Sequence, residues 1–194
     1  MTGRPWDDSY HDGPAPWDVG PQPAVVRVAA AGGFSGAVLD SGCGTGENAL
    51  VIAELGLPVL GVDVAATAIG RAREKARQRG LPAEFEVADA FALHRLGRQF
   101  DTVLDCGMLH TCDDEERPVY VASLASVLRP GGTLHVLCFS DQGPDVGPHP
   151  VSEAQLRSVF GSGWNIVSLE PDRVMTRFHG DQGAPAWFVT VARG

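Results

Sequence analysis

Lysine is almost absent: Lys75 is the single lysine among 15 basic residues in a chain of 194. Acids outnumber bases 24 to 15, for a formal net charge of −9. That balance lacks the clustered positive charge that neutralises phosphates, and so argues against sequence-independent binding of DNA or RNA. The preference for arginine reads as genome base composition and is assigned no function. No apolar run approaches the roughly 18 residues of a membrane-spanning helix, so no membrane partner is expected. The start, Met1-Thr2-Gly3-Arg4-Pro5-Trp6, lacks the basic head and apolar core of a signal peptide. The four cysteines, Cys43, Cys106, Cys112 and Cys138, form no C-x-x-C pair and suit neither a zinc site nor a disulfide framework. A reduced, cytoplasmic setting with free thiols is the expectation. No spacing of histidines and carboxylates demands a metal, and the expected assembly is a monomer or weak dimer.

What is present suits one domain with a sizeable core: 44% of the residues are hydrophobic. Residues 1–23 stand apart, with Trp6, Tyr10 and Trp17 among five prolines and four aspartates. Such a stretch builds no core of its own. It either packs on the domain or closes over something, and is expected to be a lid on a single domain spanning 24–194. Beyond it the pattern is regular. Buried strands are expected at 37–40, 57–63, 84–88, 101–106 and 133–139, and helices at 46–55, 65–79 and 114–128. Ser152 and Gln155 have the spacing of a capping box opening a helix to Phe160. Closing strands are expected near 165–169 and 186–192, as an antiparallel edge. The fold class is therefore α/β: a Rossmann-like, doubly wound, seven-stranded sheet, mostly parallel with an antiparallel last strand. Ligands of such sheets sit beyond the carboxyl ends of the strands.

The unusual residues fall there. Asp40-Ser41-Gly42-Cys43-Gly44-Thr45-Gly46 follows the first strand. Its glycines allow a sharp turn and the close approach of a ligand. The spacing is G-x-G-x-G, with Glu47 in the place of the third glycine of a dinucleotide loop, and a carboxylate beside the turn suits a cationic ligand better than a diphosphate. Asp63, followed by Val64, ends the second strand, where a carboxylate accepts from ribose hydroxyls. Asp89, followed by Ala90 and Phe91, comes after the third, placed to accept from an adenine amino group while Ala90 or Phe91 flanks the ring. Leu128-Arg129-Pro130-Gly131-Gly132 introduces the fifth.

This ordered set resembles the class I S-adenosylmethionine-dependent methyltransferases over nearly the whole domain. The resemblance implies S-adenosylmethionine as cofactor, S-adenosylhomocysteine as product, and no metal. It implies Asp40 and Gly42 near the methionine end, with Gly44 and Gly46 in the same loop. It places Asp63 and Val64 at the ribose, Asp89 and Ala90 at adenine, and the Cys106 backbone at the methionine part.

Two stretches, Pro16–Pro23 and Asp105–Thr111, look like the thiopurine, thiol and halide methyltransferase branch and related bacterial heterocycle methyltransferases. By that resemblance the acceptor is a small, aromatic or heterocyclic molecule methylated on S, N or O. Tyr10 and Trp17 would line the cofactor or lid, and Trp6 would face the acceptor. His110, after the fourth strand, is the candidate general base, with a structural histidine as the equal alternative. Phe139 and His179, in loops expected on the acceptor face, are candidate pocket walls. The alternatives are a non-catalytic S-adenosylmethionine-binding protein and a nucleotide-dependent oxidoreductase.

Overall fold

Short apolar strands separated by helices are buried most completely as a parallel sheet covered on both faces. The computed structural model, which describes residues 6–143 and 147–194, has this arrangement. The elements run α1 (Pro23–Ala30), β1 (Val38–Ser41), α2 (Glu47–Glu54), β2 (Val59–Asp63), α3 (Ala66–Arg79), β3 (Glu84–Val87) and β4 (Phe100–Cys106). They continue with α4 (Glu116–Val127), β5 (Leu128–Phe139), α5 (Glu153–Val159), β6 (Trp164–Val174) and β7 (Ala184–Arg193). Strand order is 3-2-1-4-5-7-6, with β1 to β5 parallel and β7 antiparallel to both its neighbours. β1 pairs with both β2 and β4, so strand order reverses there and a crevice opens at the carboxyl ends.

Side-chain alternation along each strand feeds two cores. Val38, Val59 and Leu104 face α1, α2 and α3, while Leu39, Leu60 and Val103 face α4 and α5. The antiparallel edge is found, with β7 inside and β6 outermost. β7 is apolar on both faces and lies between β5 and β6, leaving the half-exposed, polar β6 outermost. A strand buried on both sides gains more from the interior position than one carrying Asn165, Glu170 and Asp172. Other bounds shift. The fifth strand begins at Leu128, because Arg129–Gly132 remains in the β5 run after a register shift against β4. The helix expected from Asp114 begins at Glu116, since the Asp113 carboxylate caps the Glu115 and Glu116 amides first. Among the described residues no helix is long and apolar enough to cross a membrane.

Gly46 enters α2 at φ +85°, and a Cβ there would lie 2.7 Å from the Phe85 ring and 2.9 Å from Ala72. Gly80 closes α3 at φ +64°, and a Cβ there would find nothing within 4 Å. Both glycines carry the left-handed cost, but only Gly46 carries overlap. Gly80→Ala is expected to cost about 1 kcal/mol and Gly46→Ala about 2–4 kcal/mol, read as the drop in melting temperature. Equal drops would show that the β1–α2 loop is not tightly seated.

Candidate active site

The carboxyl ends of β1, β2 and β4 converge on a cavity of about 330 Å3. The turn after β1 forms its floor. Gly42 and Gly44, at φ +75° and +53°, present backbone rather than side chain, and a Cβ on Gly44 would meet the Tyr10 hydroxyl at 3.1 Å. Asp63 fixes this turn. Its Oδ2 accepts from the Gly44 amide at 2.9 Å and its Oδ1 from the Ala65 amide at 2.8 Å. Burial raises the Asp63 pKa against the pull of those amides. Two oxygens with one amide each keep further lone pairs for hydroxyl donors in the cavity. Val64, Asp89 and Ala90 continue the lining on this side. Asp89 caps the turn at Ala90–Leu96 through Oδ1 and the Phe91 amide. Phe91 instead packs on Tyr120, with ring centroids 5.7 Å apart, so of the two expected flanks Ala90 reaches the cavity.

Two expected residues do not line it. Gly46 sits behind the turn against Phe85 and Ala72. Asp40 is fully buried, and neither of its oxygens has a hydrogen-bond partner among the described residues. Burial, with the charges of Asp105 and Asp63, pushes its pKa up to about 7. Asp105 is raised to about 7 by burial too, although its Oδ1 accepts from the Met108 and Leu109 amides. Three carboxylates thus end three adjacent strands, and the electrostatics there favour a cation.

Beyond them the walls are aromatic. His110 stacks on Phe139 at 4.0 Å between centroids, and Phe139 meets His179 edge-on at 5.9 Å. All three line the cavity, as does Cys106. The Phe139 amide donates to His110 Nδ1 at 3.1 Å, and burial pushes the His110 pKa down to about 3.

The segment before α1 covers this crevice. Trp6 and Tyr10 each meet Trp17 edge-on, at 5.8 and 6.3 Å, and the Trp17 indole donates to the Tyr10 hydroxyl at 2.8 Å. All three line the cavity. Tyr10 and Ala15 pack against Ala65 and Ala68, and the remaining anchors are polar. Asp7 accepts from the Thr67 amide at 2.7 Å and its hydroxyl at 3.0 Å, capping α3, whose own N-cap is Ala65. Arg71 donates to the carbonyls of Tyr10 and Gly13. Asp18 accepts from Thr45 at 2.6 Å, beside Lys75, which pairs with Glu47 at 2.8 Å. At the far end Gln22 exchanges two hydrogen bonds with Met175, at 2.9 and 2.8 Å. The single lysine of the chain is thus one of these latches. Residues 1–5 of the expected lid, and Asp145 in the loop after β5, lie outside the described residues.

Gln22, Asn48, Met175 and Thr176 also line the cavity, and none of them stands out in the sequence. Gln22 falls inside the Pro16–Pro23 stretch, but only tertiary pairing reveals its use. Arg71 looks like any solvated helix arginine, and nothing local marks it.

Residues 38–132 match the methyltransferase domain family. The chain is 36% identical over 176 residues, 88% of it and 78% of the relative, to a 2-heptyl-1-hydroxyquinolin-4(1H)-one methyltransferase of Mycobacteroides abscessus. A solved structure concerned with the conversion of a disulfide bond into a thioacetal group during echinomycin biosynthesis superposes with a TM-score of 0.83 at 40% identity, covering 93% of this chain and 85% of that one. The magnesium protoporphyrin IX methyltransferase of Synechocystis with bound S-adenosylmethionine gives a TM-score of 0.69 at 25% identity, over 88% and 77%.

The site residues fit that cofactor by their chemistry: a backbone cradle, carboxylates able to accept from hydroxyl and amino groups, and two buried carboxyls, Asp40 and Asp105, whose raised pKa values a bound cation would lower. Asp63→Ala is expected to weaken S-adenosylhomocysteine binding by about 1–3 kcal/mol, the scale for hydrogen bonds to a charged group. Titration calorimetry reads this directly, and an unchanged affinity removes Asp63 from the site.

Proposed function

We propose an acceptor class on one premise: the chain belongs to the class I S-adenosylmethionine-dependent methyltransferases, and is an enzyme that methylates small molecules. The acceptor is a compact aromatic or heterocyclic molecule methylated on a soft or acidic heteroatom. The observation that carries this is the wall formed by His110, Phe139 and His179, a run of stacked and edge-on rings on one side of the cavity. Flat apolar acceptors gain both burial and ring contacts there. The named relatives point the same way: one acts on a hydroxyquinolinone, and another solved structure concerns sulfur chemistry on a disulfide.

When bound, the cofactor supplies a methyl on a sulfonium, which is its own leaving group and needs no metal. The residues of this chain do the rest. Asp63, Asp89 and Ala90 hold the adenosine part, and the Gly42–Gly44 backbone with Cys106 borders the methionine part. The aromatic wall sets the acceptor's plane, and the Trp6, Tyr10 and Trp17 cluster excludes water while nucleophile, methyl and sulfur align. Asp40, buried behind the turn, contributes negative charge rather than a contact. A reduced cytoplasmic setting suits four cysteines that are all free thiols.

An acceptor panel of hydroxyquinolones, phenols, thiols, halides and N-heterocycles, read as S-adenosylhomocysteine release, tests the reading. Turnover is expected with the aromatic hydroxyl, thiol or nitrogen compounds. Turnover of halide alone, or of none, overturns the acceptor class. Tight binding of NAD without S-adenosylmethionine would favour the oxidoreductase alternative.

We also propose that residues 1–23 act as a lid on the single domain, because their polar anchors fall on the β1–α2 loop, α2, α3 and the β6–β7 connection, and their apolar packing is a small cluster of Tyr10 and Ala15 on Ala65 and Ala68, apart from both main cores. Arg71→Ala removes two donors to lid carbonyls. At about 0.5–1.5 kcal/mol per bond, cofactor affinity should fall roughly 5- to 150-fold. Protease cleavage before residue 20 should quicken, with the melting temperature little changed. Unaltered affinity and cleavage would refute the latch.

A further inference from the structure

By its position after β4 His110 is the candidate base, but its surroundings assign it another part. The Phe139 backbone N–H donates to Nδ1, and a main-chain amide can only donate, so Nδ1 carries a lone pair. In the neutral ring the proton is therefore on Nε2. A second proton has no place, since on Nδ1 it would face the Phe139 N–H. The ring is held in this state by its stack on Phe139 and by burial at 7% exposure. Arg117 of α4 and His149 of the loop after β5 are the charged or titratable neighbours that oppose its protonation, and His179 lies beyond Phe139. Nε2 bonds no described residue, while the ring lines the cavity.

We infer that His110 is a hydrogen-bond donor, through Nε2–H, to an acceptor heteroatom that enters the site already deprotonated. The inference rests on the methyltransferase reading above and narrows its substrate class: acceptors whose oxygen or sulfur is an anion near neutral pH, such as N-hydroxy heterocycles or acidic thiols. The acceptor loses its proton to solvent before binding. One lone pair forms the new bond to carbon, another accepts from Nε2–H, and the electron pair of the broken sulfur–carbon bond stays with sulfur. His110 keeps its proton throughout, so it selects and orients the nucleophile without acting as a base. A donor on the nucleophile slightly lowers its reactivity, and what it returns is alignment and preference for the anion.

Two measurements on the full chain test this. Nitrogen NMR of protein with isotope-labelled histidine, assigned with His110→Gln, is expected to show a neutral Nε2–H ring at His110 between about pH 5 and 8. A ring that titrates in that range, or carries its proton on Nδ1, overturns the inference whatever the acceptor proves to be. The second is the pH profile of kcat/KM across acceptors of differing acidity. The ionisation seen is expected to follow the acceptor's own pKa. His110→Ala should lower kcat/KM about 10- to 100-fold, the scale of a hydrogen bond to a charged group, with cofactor affinity unchanged. His110→Gln, which keeps an N–H donor, should recover part of the loss without moving the profile. An ionisation fixed across acceptors and abolished in His110→Gln would make His110 a base. Wild-type kcat/KM in His110→Ala would remove it from the acceptor site. Failure of every acceptor would count against the proposed function, while the NMR result would still decide the ring's state.

Discussion

Buried negative charge at the carboxyl ends of β1, β2 and β4 is the constraint around which the site is arranged. Asp40, Asp63 and Asp105 end three strands that pair side by side; Asp40 and Asp105 are taken out of water and Asp63 is partly so. Such groups demand donors or a counter-charge. Asp63 recruits the amides of the β1–α2 turn and of the α3 entry, and Asp105 those of Met108 and Leu109. The shapes of these loops follow from those bonds. Asp40 recruits no partner among the described residues, and its pKa is raised to about 7, so a nearby cation would stabilise its ionised form.

The opposite end of the cavity is nearly the reverse. Phe139 and His179 contribute ring surface, and His110 is held neutral by a lone pair committed to the backbone. The proposed apolar or anionic acceptor and the cationic cofactor would thus meet in one crevice with sharply different walls. The segment before α1, the proposed lid, spans the two, anchored on α3 by Asp7 and Arg71 and beside β6 by Gln22. Its hydrogen bonds and ion pairs, and the small Tyr10–Ala15 contact on Ala65 and Ala68, are separate from both main cores, so the proposed release would leave those cores intact.

Much of the sheet and the cofactor side is legible in the sequence. Glycines at Gly42 and Gly44 and acids at Asp63 and Asp89 are local signals, each tied to a strand end by the hydrophobic pattern. The acceptor side is legible as a set of positions only. That His110 lies after β4 follows from sequence, but that its Nδ1 meets the Phe139 amide, 29 positions away, does not. Gly46 and Asp40 belong to the same motif as Gly42, yet one packs against Phe85 and the other is buried behind the turn. Spacing along a loop does not say which side of it faces the ligand.

Hydrophobic periodicity, the glycine turn and the order of the acids determined the fold class and the cofactor end, because those depend on contacts near in sequence or on a repeated strand–helix rule. Tertiary structure decided the place of β7 inside the sheet, the anchoring of the segment before α1 by Lys75, Arg71 and Asp7, and the hydrogen bond from the Phe139 amide to His110 Nδ1. Each of these depends on which partner arrives from a distant element. A hydrogen bond of about 3 Å is set by the whole packing rather than by any one segment.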